Sequence, residues 1–312
     1  LISIWEQSGG PPVVAFGGNA LLPDANDPEA AEANAAEFAV AMAALLPHDT
    51  GLVLVHGNGP QVGAALLRVE AAAGEAPPLP LDVLVAETQG SIGYQLSRAL
   101  ESALKGVEVT TQITRVVVDP GDPAMVNPTK PVGPYYGASE RERLEARGWR
   151  LVDVPDRGLR RLVPSPLPIE VVEIDSIASA AAPGRIVIAG GGGGIPVTDT
   201  DGGLIGVEGV IDKDRTGALI ARLLESRGFL ILTEVGHVSQ GFGSPGETPL
   251  LEMDADTARR LLREGEFPPG SMGPKVEAAV AFAEATGRSA MITSVTALPD
   301  ALEGEDGTRV VP

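Results

Sequence analysis

Three short apolar runs in this chain stop abruptly at glycine. Val13-Val-Ala-Phe16 runs into Gly17-Gly18-Asn19, and Gly51-Leu-Val-Leu-Val55 runs into His56-Gly57-Asn58-Gly59. Arg185-Ile-Val-Ile-Ala189 runs into five consecutive glycines, Gly190 to Gly194. Unbroken apolar runs of four or five residues read as strands buried on both faces. The recurring order of strand, glycine loop and helix implies a mostly parallel sheet covered by helices on both faces, an α/β fold. In such folds ligands bind at the carboxyl ends of the strands, which is where these loops fall.

The remaining pattern is consistent with that frame. Helical stretches are expected at Pro28 to Leu46, from Pro60 onward and at Asp82 to Leu104, where Leu84, Ile92, Leu96 and Leu100 share related faces. Ala76 to Pro80 is a proline-rich loop. Val107 to Ile113 and Phe229 to Thr233 read as strands, and Glu170 to Ala182, Asp254 to Glu264 and Pro274 to Thr286 as helices. Ser289 to Thr293 and Thr308 to Val311 read as closing strands. Asp201-Gly202-Gly203 marks a hairpin turn, and Asp212 the N-cap of a helix reaching about Ser226. Asp119 to Pro168 stands apart, rich in Pro, Gly and Arg and weakly periodic outside Trp149 to Val154. It is expected to form a small subdomain inserted in a domain spanning 12–312.

Composition closes off several kinds of chemistry. There is no cysteine, so disulfides, thiolate metal sites and cysteine nucleophiles are excluded. His48, His56 and His237 have no metal-ligand spacing, and no protein-held metal is expected. His56 reads as a space-filling residue at a strand end. The net charge of −19 argues against nucleic-acid or anionic-membrane partners. No apolar run is long enough for a membrane helix. No signal segment is evident, so a cytoplasmic protein is expected.

Only four of the 23 basic Lys and Arg residues are lysine, and three of those four stand in turn-rich motifs. Lys130 lies in Asn127-Pro-Thr-Lys-Pro-Val-Gly-Pro134, Lys213 in Ile211-Asp-Lys-Asp214 and Lys275 in Gly270-Ser-Met-Gly-Pro-Lys275. Compact ammonium groups on tight loops suit a transferring phosphate. Lys213 and Lys275 sit at helix N-termini, which attract anions. Taken singly, each also fits an ordinary capped surface helix. Gly17-Gly18-Asn19 and Gly57-Asn58-Gly59 occupy matching places after two strands, and together they read as a shared phosphate cradle. The glycine run at 190–194 lacks the following helix of a dinucleotide fingerprint, and no GxxxxGK[ST] loop occurs.

These motifs, in this order, resemble the carbamate kinases of the amino-acid kinase family. The resemblance rests on Ala15-Phe-Gly-Gly-Asn-Ala-Leu21, His56-Gly-Asn-Gly-Pro-Gln-Val-Gly63, Gln89-Gly-Ser-Ile-Gly-Tyr94 and Pro128-Thr-Lys-Pro-Val-Gly-Pro134. It continues through Arg160-Arg-Leu-Val-Pro-Ser-Pro166, Ala189 to Val197, Gly206 to Asp214 and Gly270 to Ala279. It implies a three-layer αβα sandwich with a mostly parallel central sheet and a small protruding subdomain, assembled as a homodimer. It implies reversible phosphoryl transfer between carbamoyl phosphate and Mg-ADP, giving carbamate and ATP, with Mg2+ carried by the nucleotide. On that resemblance Gly17, Gly18, Asn19, Gly57, Asn58 and Gly59 hold the substrate. Lys130, Lys213, Asp214 and Lys275 act on the phosphoryl group, while Gly191, Gly192, Thr233, Val235, Met272 and Lys275 face the nucleotide.

Two departures stand out. Leu232 to Pro245 lacks the acid, aromatic and lysine usual there, carrying Gly236, Ser239 and Ser244 instead. That puts nucleotide affinity or base preference in question. Arg215 and Thr216 are also unusual and are expected on the helix exterior. The competing readings are a relative with another small acceptor, and a ligand-binding homologue without turnover.

Overall fold

The computed structural model describes residues 8–17, 36, 38–43, 45–47, 49–268 and 270–312. The chain runs through β1 (Val13–Phe16), β2 (Leu52–His56), α1 (Gly59–Ala71), α2 (Leu81–Ala103), β3 (Glu108–Thr111) and β4 (Arg115–Val118). It continues through α3 (Pro123–Val126), β5 (Lys130–Tyr136), α4 (Arg141–Glu145), β6 (Arg150–Val154), β7 (Gly158–Val163), β8 (Pro168–Val171) and α5 (Ile174–Ala180). Next come β9 (Arg185–Ile188), β10 (Ile195–Thr200), β11 (Gly203–Gly206), α6 (Lys213–Leu223), β12 (Phe229–Thr233), β13 (Val238–Gln240) and β14 (Thr248–Leu250). It ends with β15 (Glu252–Asp254), α7 (Ala255–Arg263), α8 (Met272–Thr286), β16 (Ala290–Ser294), α9 (Leu298–Glu303) and β17 (Thr308–Val311).

The central sheet has the order β15-β17-β16-β12-β1-β2-β9-β3. Every pair in it is parallel except β16 with β17. Alternate side chains of each strand go to opposite faces. Val13, Ala15, Val53, Val55, Phe229 and Ile231 join the core under α6, α7 and α8. Val14, Phe16, Leu52, Leu54, Leu230 and Leu232 join the other, with Ile92, Leu96 and Leu100 of α2. Helices on both faces explain why these strands read as unbroken apolar runs.

β1 lies between β2 and β12, so the chain leaves it in opposite directions along the sheet. A crevice opens at the carboxyl ends of strands where the order reverses in this way. A four-stranded sheet, β11-β10-β4-β8, and a three-stranded antiparallel sheet, β5-β7-β6, stand beside it. The smaller one has its own core of Tyr136, Leu144 and Leu159, with Trp149 and Leu151 against it.

Several expectations need correction. The helix read at Glu170 to Ala182 starts as strand β8, which pairs with β4, and turns helical only at Ile174. The strand ends at Val171 and turns at Val172 and Glu173, whose carboxylate accepts from Arg115 N at 2.7 Å and from Arg115 Nε at 2.7 Å, tying the turn to the start of β4. α8 begins at Met272 rather than Pro274, because proline is tolerated in a first turn whose N–H groups lack partners anyway. The helix read at Pro28 to Leu46 lies largely outside the described residues; those described from 36 to 43 are helical. The β13–β14 hairpin and α9 were not legible in the apolar pattern.

Candidate active site

The ends of β1, β2 and β12 lie side by side, with Phe16 in register with His56 on one side and Leu232 on the other. The loops that follow open into a cavity of about 1090 Å3. Gly17, Gly57, Asn58 and Gly59 line it, as do Thr233, Val235, Met272 and Gly192. Gly18 and Asn19 lie outside the described residues. Gly191 is buried behind the wall: its carbonyl accepts from Gln89 Nε2 at 2.8 Å.

Lys130, Lys213 and Lys275 come from three distant parts of the chain and meet in this cavity. Two aspartates at the start of α6 collect them. Asp212 caps the helix with one oxygen, accepting from Asp214 N at 3.0 Å, and takes Lys130 Nζ on the other at 2.9 Å. Asp214 is shared: Lys213 Nζ donates to Oδ1 at 2.5 Å and Lys275 Nζ to Oδ2 at 3.1 Å. One carboxylate therefore fixes two ammonium groups close together at the positive end of a helix. Lys130 was read as standing on a tight loop; it opens β5 instead, and its ion pair leaves it only partly exposed.

The charges respond to this packing. Burial tends to raise the Asp212 carboxyl, but Lys130, with Lys213 and the cap, outweighs it and holds the group at about 2. Burial pushes Lys213 below the usual lysine value, against the opposing pull of Asp214.

A polar frame behind the cavity explains the glycine run. Gln89 Nε2 donates to the Gly191 and Thr114 carbonyls, and Thr114 N donates back to Gln89 Oε1 at 2.8 Å. Thr216 Oγ1 donates to Gly193 O at 2.7 Å, so Thr216 is fully buried rather than on the helix exterior. Arg215 does face outward, paired with Glu277 at 2.7 Å. A Cβ on Gly191 would lie 2.4 Å from His56 Nε2, and one on Gly192 2.2 Å from Asn58 Nδ2. Gly190, Gly192, Gly193 and Gly194 also have positive φ. His56 is the packing residue expected, its ring nitrogen 3.0 Å from Gly57 O, and burial lowers it to about 4. Asn58 Nδ2 donates to Thr88 Oγ1 at 2.9 Å, which orients its amide at the cavity edge.

Thr88 and Thr114 escaped the sequence reading, and Gln89 entered it only as part of a motif, with no role assigned. The available signal was two polar residues in the middle of the apolar face of α2, beside Val85 and Ile92. The altered Leu232 to Pro245 stretch also borders the cavity, contributing Glu234, His237, Ser239 and Phe242. Asp306 closes on it from the far side: its carboxylate lies 2.8 Å from His237 Nδ1, and a Cβ at position 236 would come within 3.0 Å of it. The third edge of the cavity comes from the small sheet, through Tyr135, Arg157 and Arg160.

Residues 11–294 match the sequence profile of the amino acid kinase family. A carbamate kinase of Thermococcus kodakarensis is 43% identical over 96% of this chain and 98% of its own length. One from Pyrococcus furiosus is 42% identical over the same shares, and a carbamate kinase-like protein of Escherichia coli is 43% identical over 96% and 98%. Among solved structures, carbamate kinase from Giardia lamblia bound to AMP-PNP superposes with a TM-score of 0.86 at 37% identity, covering 97% of this chain and 99% of that one.

Proposed function

This chain belongs to the amino acid kinase family, and on that premise we propose that it catalyses the carbamate kinase reaction. Carbamoyl phosphate and Mg-ADP exchange a phosphoryl group reversibly to give carbamate and ATP. The observation that carries this reading is the meeting of Lys130, Lys213 and Lys275 over Asp212 and Asp214, beside the Gly57-Asn58-Gly59 loop.

A β-phosphate oxygen of ADP attacks the phosphorus, a new P–O bond forms, and the P–O bond to the carbamoyl group breaks. The electron pair stays on carbamate, a stable anion, so no proton has to be delivered to the leaving group. Positioning and charge neutralisation then do the catalytic work. Lys213 and Lys275 face the equatorial oxygens, held by Asp214. Lys130 exchanges its contact with Asp212 for the phosphoryl group and is carried there by the small sheet, which acts as a protruding subdomain. Gly17, Gly57, Asn58 and Gly59 present backbone and amide donors to the carbamoyl side. Thr233, Val235, Met272 and Gly192 border the nucleotide side.

Among the described residues no group of three or more His, Asp or Glu could hold a metal. The oxygens of Asp214 are committed to lysines. This fits Mg2+ that arrives on the ADP phosphates with mostly water and phosphate ligands. When bound it neutralises phosphate charge.

We further propose a cytoplasmic homodimer, tested by a solution mass near twice 32.0 kDa. No helix among the described residues is long and apolar enough to cross a membrane. The functional reading is tested by mixing the protein with carbamoyl phosphate and Mg-ADP and coupling ATP formation to a dye. ATP well above the spontaneous breakdown control is the expected result. None above it overturns the reading, and ADP binding then separates a kinase of other specificity from a binding homologue.

A further inference from the structure

Resting on that reading, we propose that Arg157 and Arg160 form an anion-recruiting subsite for the acyl phosphate, held in place by Tyr135 at the cavity mouth. Among the cavity's described lining residues, five are basic, namely Lys130, Lys213, Lys275, Arg157 and Arg160, and four are acidic, namely Asp212, Asp214, Glu234 and Glu266. All three lysines are engaged by Asp212 or Asp214. Among the described residues the two arginines have no carboxylate partner; their contacts there are to a phenol, a carbonyl and a ring.

Those contacts aim them. Arg157 Nη1 donates to Tyr135 Oη at 3.1 Å, and the guanidinium carbons of Arg157 and Arg160 lie 5.5 and 5.2 Å from the Tyr135 ring centre. Arg160 Nε donates to Gly133 O at 3.3 Å. A guanidinium has five donors in a fixed fork. These contacts leave most of the donors of each arginine for an incoming phosphate. The hydrogen bond from Arg157 also holds the Tyr135 phenol below its usual value.

Neighbouring residues on the same strands show the contrast. Arg161, next to Arg160 on β7, points elsewhere, pairs with Glu208 at 2.9 Å and stacks on Trp149 at 4.5 Å. Tyr136, next to Tyr135, turns into the subdomain and donates to Glu70 at 3.0 Å. Strand alternation thus sends one Arg and one Tyr to structural duties and the other of each to the cavity. A chain of net charge −19 repels a phosphate dianion at long range. An unpaired cationic pair at the mouth offsets that repulsion where the substrate enters, on the side that also carries Lys130.

The test uses Arg157→Ala, Arg160→Ala, the double variant and Tyr135→Phe, which keeps the ring and removes the Arg157 hydrogen bond. Two readouts are taken on each: the steady-state constants for carbamoyl phosphate and ADP, and equilibrium binding of inorganic phosphate. Each arginine variant is expected to raise KM for carbamoyl phosphate about tenfold, the size of one charge-assisted hydrogen bond, with KM for ADP within about twofold. Phosphate affinity falls in parallel, and Tyr135→Phe gives a smaller change of the same kind. Equal losses for both substrates would point to a merely structural role of the small sheet and overturn the proposal, as would unchanged constants. If the wild type makes no ATP, the kinase reading fails on its own. Phosphate binding then decides here: loss in the double variant supports the subsite, and undiminished binding overturns it.

Discussion

His56, packed behind the cavity wall, and Lys130, on its lining, differ in what they cost and what they do. His56 is 1% exposed, and burial lowers it from 6.5 to about 4. Above pH 6.5 the ring is neutral in both folded and unfolded chains and contributes no pH dependence. Below it the unfolded chain takes up a proton that the folded chain resists until about pH 4. Stability therefore falls across that window, by roughly 3 kcal/mol in all. Urea unfolding between pH 7 and 4.5 measures this, and His56→Gln is expected to flatten the slope; an unchanged slope would assign it elsewhere. Asp212, held at about 2, acts in a separate range: its contribution is full above pH 3.8 and lost as pH falls through 2. Lys130→Ala is expected to cut turnover by about 10²–10³-fold with a smaller loss of stability than Asp214→Asn, because buried Asp212 loses its main partner but keeps Lys213 and its own helix cap. Asp214→Asn removes the shared partner of two lysines, one of them buried, and is expected to lose both turnover and several kcal/mol of stability. Turnover and melting temperature measured on both variants separate the two; equal destabilisation would mean the Lys130 pair is structural.

At the scale of elements, the loop from Gly190 to Gly194 carries the most constraint. Gly192 has φ of +67°, and a Cβ there would collide with the Asn58 amide. Gly192→Ala is expected to cost roughly 1–2 kcal/mol from the backbone alone; although Gly192 borders the nucleotide side, its Cβ would point at the Asn58 amide and displace it, so carbamoyl phosphate is weakened more than ADP. Thermal unfolding and the two KM values check it; equal effects on both substrates would remove Asn58 from the argument. The need for an unobstructed backbone was legible in the sequence, because five glycines have no cheaper explanation. What obstructs them was not, since His56 and Asn58, Ile211, and Val116 come from three separate stretches. The central strands were legible because burial on both faces leaves a continuous apolar run. β8 was misread because Pro168 to Val171 alternates too briefly to distinguish a strand from the helix that follows it. The three lysines were legible by their rarity. Their convergence on Asp212 and Asp214 is a product of topology, and the inward turn of Thr216 follows from the position of the glycine loop, which no local pattern reports. Arg157 and Arg160 were lost among plentiful arginines; strand alternation on β7 separates Arg160 from Arg161, while Arg157 stands in the turn before that strand.

The whole molecule carries 42 acidic against 23 basic side chains. Two effects of salt oppose each other. Added salt screens the self-repulsion of the folded chain, which stabilises it, and it also weakens surface ion pairs, which destabilises it. The surface pairs are of the Arg141–Glu145 and Arg260–Glu264 kind, both partners exposed and screened by solvent, so each contributes little. The excess of 19 negative charges acts over the whole surface, and at 0.01 M salt the Debye length of about 30 Å lets it act across the molecule. Repulsion is therefore the larger effect, and the melting temperature is expected to rise by on the order of 2 °C or more between 10 and about 500 mM NaCl. Sucrose at matched osmolality separates screening from exclusion. A melting temperature that stays flat or falls in salt would mean that the ion pairs dominate, and that the acidic surface is neutralised locally by its arginines. The same experiment in sulfate tests the site at molecular scale: an anion that binds between Lys213, Lys275 and the mouth arginines adds a stabilisation saturating with concentration, beyond what chloride gives at equal ionic strength.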